Sequence, residues 1–342
     1  MIYFNIVKER ILIEGIGGIG GFVSAALIEA GFEVTMVTNN PQITKAIQDN
    51  GIMANYKGTS YNVEGNVYTK LKEVEGKYDI VLLTMKATGV KEAVENSLNY
   101  LKDGGYFVTM QNGIVEDMLT EVVEESKIIT AIIGWGGTMH SPGVYEKTSP
   151  GAIHMGELNG DINPRILRLK AILGHVSPVV VSSNIRGVLW SKLAINSCIT
   201  TLGAITGEKL GTMMKDKKIR NIFLEIYQEI VDTAHSSGIK LEKVASNPYL
   251  LYRKKGSGIL NRWVRDQFLK LVGKKYSGLK SSMLQSIERG RKSEIQFLNA
   301  YVVLTGKKVN VDTPVNARCV EIVEEIELGK VTPSMDNIRL FE

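Results

Sequence analysis

Three polar side chains recur at helical spacing inside a stretch that is otherwise apolar. In WSKLAINSCITTLGAITG, residues 190–207, Lys192, Asn196 and Thr200 fall at i, i+4 and i+8 and share one face of a helix, while Trp190, Leu193, Ala194 and Cys198 make its apolar side. An ammonium in such a place can stabilise a negative oxygen and give up a proton. An amide one turn away can hold a carboxylate or a hydroxyl. A lysine can also simply lie along apolar surface with its head in water, so the stripe alone leaves both readings open.

A second constellation lies near the start. GIGGIG, residues 15–20, follows a predicted strand and opens a predicted helix. Gly15 allows the tight turn, Gly17 the close approach of backbone to a pyrophosphate, and Gly20 tight packing of helix on strand. The pyrophosphate would sit on a helix N-terminus, where free N–H groups favour an anion. In this strand–turn–helix context the motif is a dinucleotide-binding fingerprint, and it places Gly15, Ile16, Gly17, Gly18, Ile19 and Gly20 against the cofactor. Glu14 sets a carboxylate directly before the loop, where an apolar residue is expected, and it should point away or find a cation. The second strand ends in VTNN, residues 37–40. An acid there would favour NAD and an arginine NADP. Thr38, Asn39 and Asn40 are neither, which leaves that choice open, with Asn39 a candidate cofactor contact.

Three further pieces carry polar groups in suggestive places. Lys86 in TMKA (84–87) and Asn112 in QNG (111–113) fall just past successive predicted strands, at the carboxyl edge where α/β sheets bind ligands. Their plainer readings are a solvated loop lysine and an Asn-Gly turn. SSMLQSIERGRKSEIQFLNA (281–300) sets Ser282 and Glu294 at the edges of an apolar stripe of Met283, Leu284 and Ile287. Glu294 and Asn299 border a second stripe of Ile295, Leu298 and Val302. A surface glutamate is the alternative for Glu294.

The elements that must position these groups follow from periodicity. Short β-branched runs at 10–15, 33–38, 78–85, 105–111 and 127–134 read as strands, and amphipathic segments near 18–30, 41–50, 89–101 and 114–124 as helices. Such alternation predicts a mostly parallel sheet with helices on both faces. Strands near 143–148, 152–157 and 177–182 and a helix near 162–174 complete that half. From Ile185 onward the periodicity is helical, broken at Gly207, Gly238, Asn247–Pro248, Gly256–Gly258 and Gly306. The expectation is an α/β domain over 1–184 and an all-α domain over 185–342.

Composition excludes several classes of function. Hydrophobic residues make up 44% and charged residues 23% of the 342 positions, which suits a globular chain. No apolar run is expected to span a bilayer, and MIYFNIVKER lacks the apolar core of a signal peptide. A cytoplasmic protein without membrane attachment follows. Cys198 and Cys319 make no disulfide framework. His140, His154, His175 and His235 are scattered without ligand spacing, so no metal site is expected. The net charge is +5, yet Arg253–Lys292 holds twelve Lys or Arg against Asp266 and Glu288. That run is read as a solvated helical face, and no nucleic-acid-binding pattern accompanies it. Apolar helices in the second half suggest a homodimer.

Taken in order, the glycine loop, TMKA, QNG, SPGV (141–144), LWSKLAIN (189–196) and SSMLQSIERGRKSEI (281–295) resemble the ketopantoate reductase family over nearly the whole chain. The resemblance implies a Rossmann domain, a helical domain, and a cleft holding NADPH and a small 2-keto acid. By the same resemblance Lys192 matches the catalytic lysine and Glu294 its glutamate partner. Asn196 and Ser282 match positions that hold substrate, with Thr200 standing where well-known members carry a second substrate-binding asparagine. Lys86 and Asn112 match positions near the nicotinamide ribose and the reacting centre, so Asn112 serves cofactor and substrate alike. Leu279 replaces another amide, Gln296 an acid and Ala300 a glycine, and residues 245–280 form a stretch longer and more basic than the family's. NADP(H) is favoured by the family, with NAD(H) possible. Alternatives are the same chemistry on another 2-keto acid, or a dinucleotide sensor without turnover.

Overall fold

The β-branched runs of the first half form strands, and the periodic stretches between them form helices. The computed structural model describes residues 9–244, 246–253 and 259–342. These fall into two compact units. One joins the chain up to Gln111 with Val115–Ile185, and the other joins Asn112–Ile114 with Arg186–Glu342.

The first unit contains β1 (Arg10–Glu14), β2 (Glu33–Val37), β3 (Ile52–Tyr56), β4 (Thr59–Val63), β5 (Asn66–Tyr68) and β6 (Tyr78–Leu83). It continues with β7 (Leu101–Thr109), β8 (Ile128–Ile133), β9 (Gly137–Ser141), β10 (Val144–Lys147), β11 (Ile153–Glu157) and β12 (Val179–Val181). The main sheet has the order β12-β11-β8-β7-β6-β1-β2-β5. Every neighbouring pair in it is parallel except β8 with β11. Ile11, Leu12 and Ile13 of β1 are all fully buried. That is why the run shows no alternation, since helices cover both faces of a parallel sheet. The helices of this unit are α1 (Gly18–Glu29), α2 (Pro41–Asn50), α3 (Val90–Ser97), α4 (Glu116–Leu119) and α5 (Pro164–Gly174).

A second sheet, β4-β3-β10-β9, was not expected from the sequence. β3 and β4 are joined by Lys57 and Gly58, both at positive φ, 52° and 81°. This is the two-residue hairpin geometry that Asn-Gly usually announces, and Lys-Gly hides it. The strands are only half-buried, so their apolar alternation is also weak. This sheet lies close against α1. A Cβ on Gly18 would fall 2.4 Å from the Gly137 carbonyl oxygen, and one on Gly21 would fall 2.2 Å from the Tyr145 ring. The helix expected over 114–124 shrinks to the single turn of α4.

The second unit is helical: α6 (Ile185–Thr206), α7 (Leu210–Met213), α8 (Lys217–Ser236), α9 (Ile259–Lys275), α10 (Ser282–Glu288), α11 (Asn299–Lys308) and α12 (Pro314–Glu327). Gly306 does not break a helix as expected but lies inside α11, where a Cβ would meet the Val311 carbonyl oxygen at 2.8 Å. The expected break at Gly256–Gly258 and Lys254–Lys255 of the basic run lie outside the described residues. The expectation that no run could span a bilayer needs correction. By length and composition α6 is long and apolar enough to do so, and 72% of its most apolar window is buried inside the fold. Its apolar character answers to helix packing: Trp190 meets the Tyr301 ring at 5.9 Å, and Cys198 Sγ donates to the Phe223 carbonyl.

A buried polar chain ties this packing together. Thr201 of α6 donates to Asn299 Oδ1 (2.6 Å), Asn299 Nδ2 donates to Asn316 Oδ1 (2.9 Å), and Asn316 Nδ2 donates to Glu229 Oε2 (2.7 Å). The Glu229 carboxylate also accepts the backbone N–H groups of Val315 and Asn316 at the start of α12. Each member is satisfied by the next, so four helices are held in register without an orphaned group.

Candidate functional site

The glycine loop is fixed by the residue that follows β6. Thr84 Oγ1 donates to the carbonyl oxygens of Glu14 (2.9 Å) and Gly15 (2.7 Å), and Gly15 N–H donates to Val37 (2.9 Å). Gly15 has φ +94°, and a Cβ there would lie 2.4 Å from the Met85 nitrogen. A Cβ on Gly20 would collide with the Gly15 carbonyl oxygen (2.2 Å) and Thr84 Oγ1 (2.3 Å). Gly17 differs, because a Cβ there would meet nothing within 4 Å. Gly17 also N-caps α1 without any side-chain hydrogen bond. The loop therefore leaves open space directly in front of uncapped first-turn amides, a cradle that fits a phosphate group. Ile16 is buried, its carbonyl accepting from the Tyr145 hydroxyl at 3.3 Å, while Ile19 is half-buried.

Beside the loop lies a cavity of about 500 Å³, lined among others by Glu14, Gly15, Thr38, Asn39, Lys70 and Lys72. Such a volume is in the range of small-molecule sites. Asn40 is committed elsewhere, since its side chain accepts from Gln42 N–H (3.0 Å) as the N-cap of α2. Asn39 is exposed. Glu14, expected to point away from a pyrophosphate or find a cation, lines this cavity and forms no ion pair among the described residues. It is buried, accepts a hydrogen bond from Ser97 Oγ, and burial pushes its carboxyl up to about 7. Loss of water, not a counter-ion, makes the acid tolerable there by favouring its neutral form.

Lys86 is half-buried just before the 3₁₀ turn Ala87–Gly89. Sequence reading overlooked the residue that organises this edge. Gln111 is buried and its amide donates to the carbonyls of Leu83 (2.8 Å) and Met85 (3.1 Å), pinning the end of β6. Its only signal was a glutamine where a strand of apolar residues ends.

In the second unit the polar stripe of α6 meets two other segments. Lys192 is half-buried, and its ammonium is brought down to about 8, mainly by burial, with the Glu294 carboxylate acting in the opposite direction. Glu294 precedes the 3₁₀ turn Ile295–Phe297. That turn also holds residues 112–114: Ile114 N–H donates to the Phe297 carbonyl (3.2 Å), and Gly113, at φ +86°, passes so close that a Cβ would lie 2.4 Å from the same oxygen. Only glycine fits there. The strap delivers Asn112 to α6, where Asn196 Nδ2 donates to Asn112 Oδ1 at 3.4 Å. Lys192, Asn196, Asn112 and Glu294 are thus gathered from three separate segments.

Two expected members stand differently. Thr200 donates its hydroxyl to the Asn196 carbonyl (2.8 Å), a bond within the helix. Ser282 is exposed in the first turn of α10, whereas its neighbour Ser281 is buried and caps that helix by accepting Leu284 N–H at 2.9 Å. The arrangement presents a tuned ammonium, a carboxylate and two amides, which suits proton delivery to an oxygen and the holding of a polar substrate.

Two family models together match most of the chain, ketopantoate reductase PanE/ApbA over residues 11–160 and its C-terminal counterpart over residues 184–327. The chain belongs to the ketopantoate reductase family. The 2-dehydropantoate 2-reductase of Pyrococcus horikoshii is 27% identical over 309 residues, spanning 90% of this chain and 94% of that one. Among solved structures, a PanE/ApbA family ketopantoate reductase from Ralstonia eutropha superposes with a TM-score of 0.79 at 23% identity, covering 94% of this chain and 99% of its own. A D-mandelate dehydrogenase in a ternary structure with NADH and anilino(oxo)acetate gives a TM-score of 0.80 at 20% identity, with the same coverage. The two-domain family fold is shared with both: a mostly parallel sheet in the N-terminal part and helices in the C-terminal part.

Proposed function

We propose that this protein reduces the ketone of 2-dehydropantoate to (R)-pantoate, with NADPH preferred and NADH possible as the hydride source. The observation that carries the reading is Lys192, whose ammonium sits on a buried helix with its acidity raised toward neutrality and a carboxylate close by. A sensor that only binds dinucleotide needs neither group. Relatives that bear the name 2-dehydropantoate 2-reductase support the choice of substrate.

In this reading residues 1–184 hold the dinucleotide and residues 185–342 carry the acid and the substrate contacts. The reduced nicotinamide supplies the hydride that reaches C2. The loop from Gly15 to Gly20 grips the pyrophosphate through backbone amides, with Asn39 and Lys86 toward the riboses. Lys192 stabilises the developing alkoxide and passes its proton to that oxygen. At about 8 its acidity lies close to working pH, the best compromise between being protonated and giving the proton up. Glu294 favours the charged lysine, so that the neutral amine left after proton transfer regains a proton from solvent before the next turnover. Asn112 and Asn196 hold carboxylate or hydroxyl oxygens and fix the geometry, with Ser282 a further contact.

A second reading keeps this chemistry and changes the 2-keto acid. It is favoured by Thr200, whose hydroxyl proton is directed to the Asn196 carbonyl rather than offered to a ligand. The likeness of fold to a D-mandelate dehydrogenase agrees with such breadth. Loss of NADPH absorbance with 2-dehydropantoate tests the first reading. Rapid oxidation supports it; oxidation only with another 2-keto acid supports the second. A protein that binds no dinucleotide would refute both.

A further inference from the structure

The sequence leaves open how a 2′-phosphate would be recognised, because Thr38, Asn39 and Asn40 after β2 carry no charge. The sheet supplies charge from elsewhere. β5 is the parallel edge neighbour of β2, with Tyr68 opposite Val37, and Thr38 N–H donates to the Tyr68 carbonyl at 3.1 Å. The chain leaving β5 therefore runs beside the chain leaving β2, at the carboxyl edge where nucleotides bind. It reaches Lys70, then a 3₁₀ turn over Leu71–Glu73 that includes Lys72. Both lysines line the same cavity as Thr38 and Asn39.

We infer that Lys70 and Lys72 bind the 2′-phosphate of NADPH and give this protein its preference for NADPH over NADH. The inference rests on the dinucleotide reading above and assigns its specificity to a segment that no glycine-loop motif includes. Both side chains are exposed, so they lose little hydration on meeting a phosphate, and neither forms an ion pair among the described residues. Two ammonium groups would share one dianion in this arrangement, with Asn39 of the same cavity as a neutral partner. The cavity also holds two acids. Glu14 is kept largely neutral by burial below pH 7, and Glu92 comes from α3, past β6 rather than from the β2–β5 edge.

The test is direct binding, read without turnover. Dissociation constants of NADPH and NADH are measured by fluorescence, and those of 2′,5′-ADP and 5′-AMP by calorimetry, since the last two differ by the 2′-phosphate alone. Each charge-assisted contact is expected to contribute about tenfold. The wild-type protein should thus prefer 2′,5′-ADP by about 100-fold at low salt, and less as salt screens the exposed charges. K70A/K72A should lose nearly all of that preference while its affinity for NADH and 5′-AMP stays within about twofold. K70R/K72R should retain it. NADPH and NADH binding equally to the wild-type protein, or a preference that survives K70A/K72A, would overturn the inference and leave the dinucleotide reading standing. No binding of any of the four would overturn both.

Discussion

Glu14 makes stability depend on pH in a way that can be calculated. Its ordinary carboxyl value of 4.5 is raised to about 7 by burial, with the Ser97 hydroxyl offsetting part of the effect. Below pH 4.5 the acid is protonated in both folded and unfolded chains and imposes no penalty. Between 4.5 and 7 the unfolded chain releases the proton and the folded chain keeps it, so stability falls as pH rises, by about 1.4 kcal/mol per pH unit. Above 7 both states are ionised and the penalty levels off at about 3 kcal/mol. Glu14→Gln keeps an oxygen for the Ser97 hydroxyl and cannot ionise. Urea unfolding of both proteins should show a stability difference that grows by between 2 and 3 kcal/mol from pH 5 to pH 8, in favour of the variant. If the dinucleotide occupies this cavity as proposed, the same comparison should show wild-type affinity for NADPH weakening above pH 7, where Glu14 is ionised, and that of the variant holding level. A stability difference that is equal at the two pH values would refute the reasoning.

Lys192→Met should lower kcat by about 10³-fold, within the usual span for a general acid, and leave the NADPH dissociation constant unchanged by fluorescence titration. Because the acid must be protonated, wild-type kcat should fall above pH 8, and Glu294→Gln should move that fall to lower pH, since Glu294 raises the lysine. Gly17→Ala should unfold at the same temperature as the wild type, since its methyl meets no protein atom within 4 Å, yet fail to bind NADPH, because that methyl would enter the space proposed for the pyrophosphate. Gly20→Ala should instead lose about 2 kcal/mol or more in urea unfolding, its methyl colliding with Thr84 and Gly15. Asn299→Leu leaves Thr201 and Asn316 without their partner and should cost about 2–3 kcal/mol by the same measurement.

The parts of the fold that were legible in the sequence are those in which one local pattern has one physical cause. The strand before Gly15 and the helix after it follow from a buried apolar run and a glycine turn, and Lys192, Asn196 and Thr200 share a face because helical spacing allows nothing else. The second sheet was hidden because Lys57 adopts a conformation that its residue type does not advertise, between strands too exposed to alternate clearly. Lys70 and Lys72 gave no sign, because their relevance depends on β5 pairing with β2, a partnership no spacing along the chain encodes. The partner of Glu14 could not be read from the sequence for a related reason. The distance from Glu14 to Ser97 is 83 positions in sequence and one hydrogen bond in space.

The strap at residues 112–114 has a consequence for how the chain can be divided. These three residues belong to the second unit although more than seventy residues of the first unit follow them. A fragment that begins at Arg186 would carry Lys192, Asn196 and Glu294 yet lack Asn112, and Phe297 would lose the Ile114 bond that closes over it. The helical half is therefore not a module that recombination or cloning can lift out whole. Its candidate site is written in two places on the gene, and a ribosome must translate more than eighty further residues before Asn112 can meet Asn196.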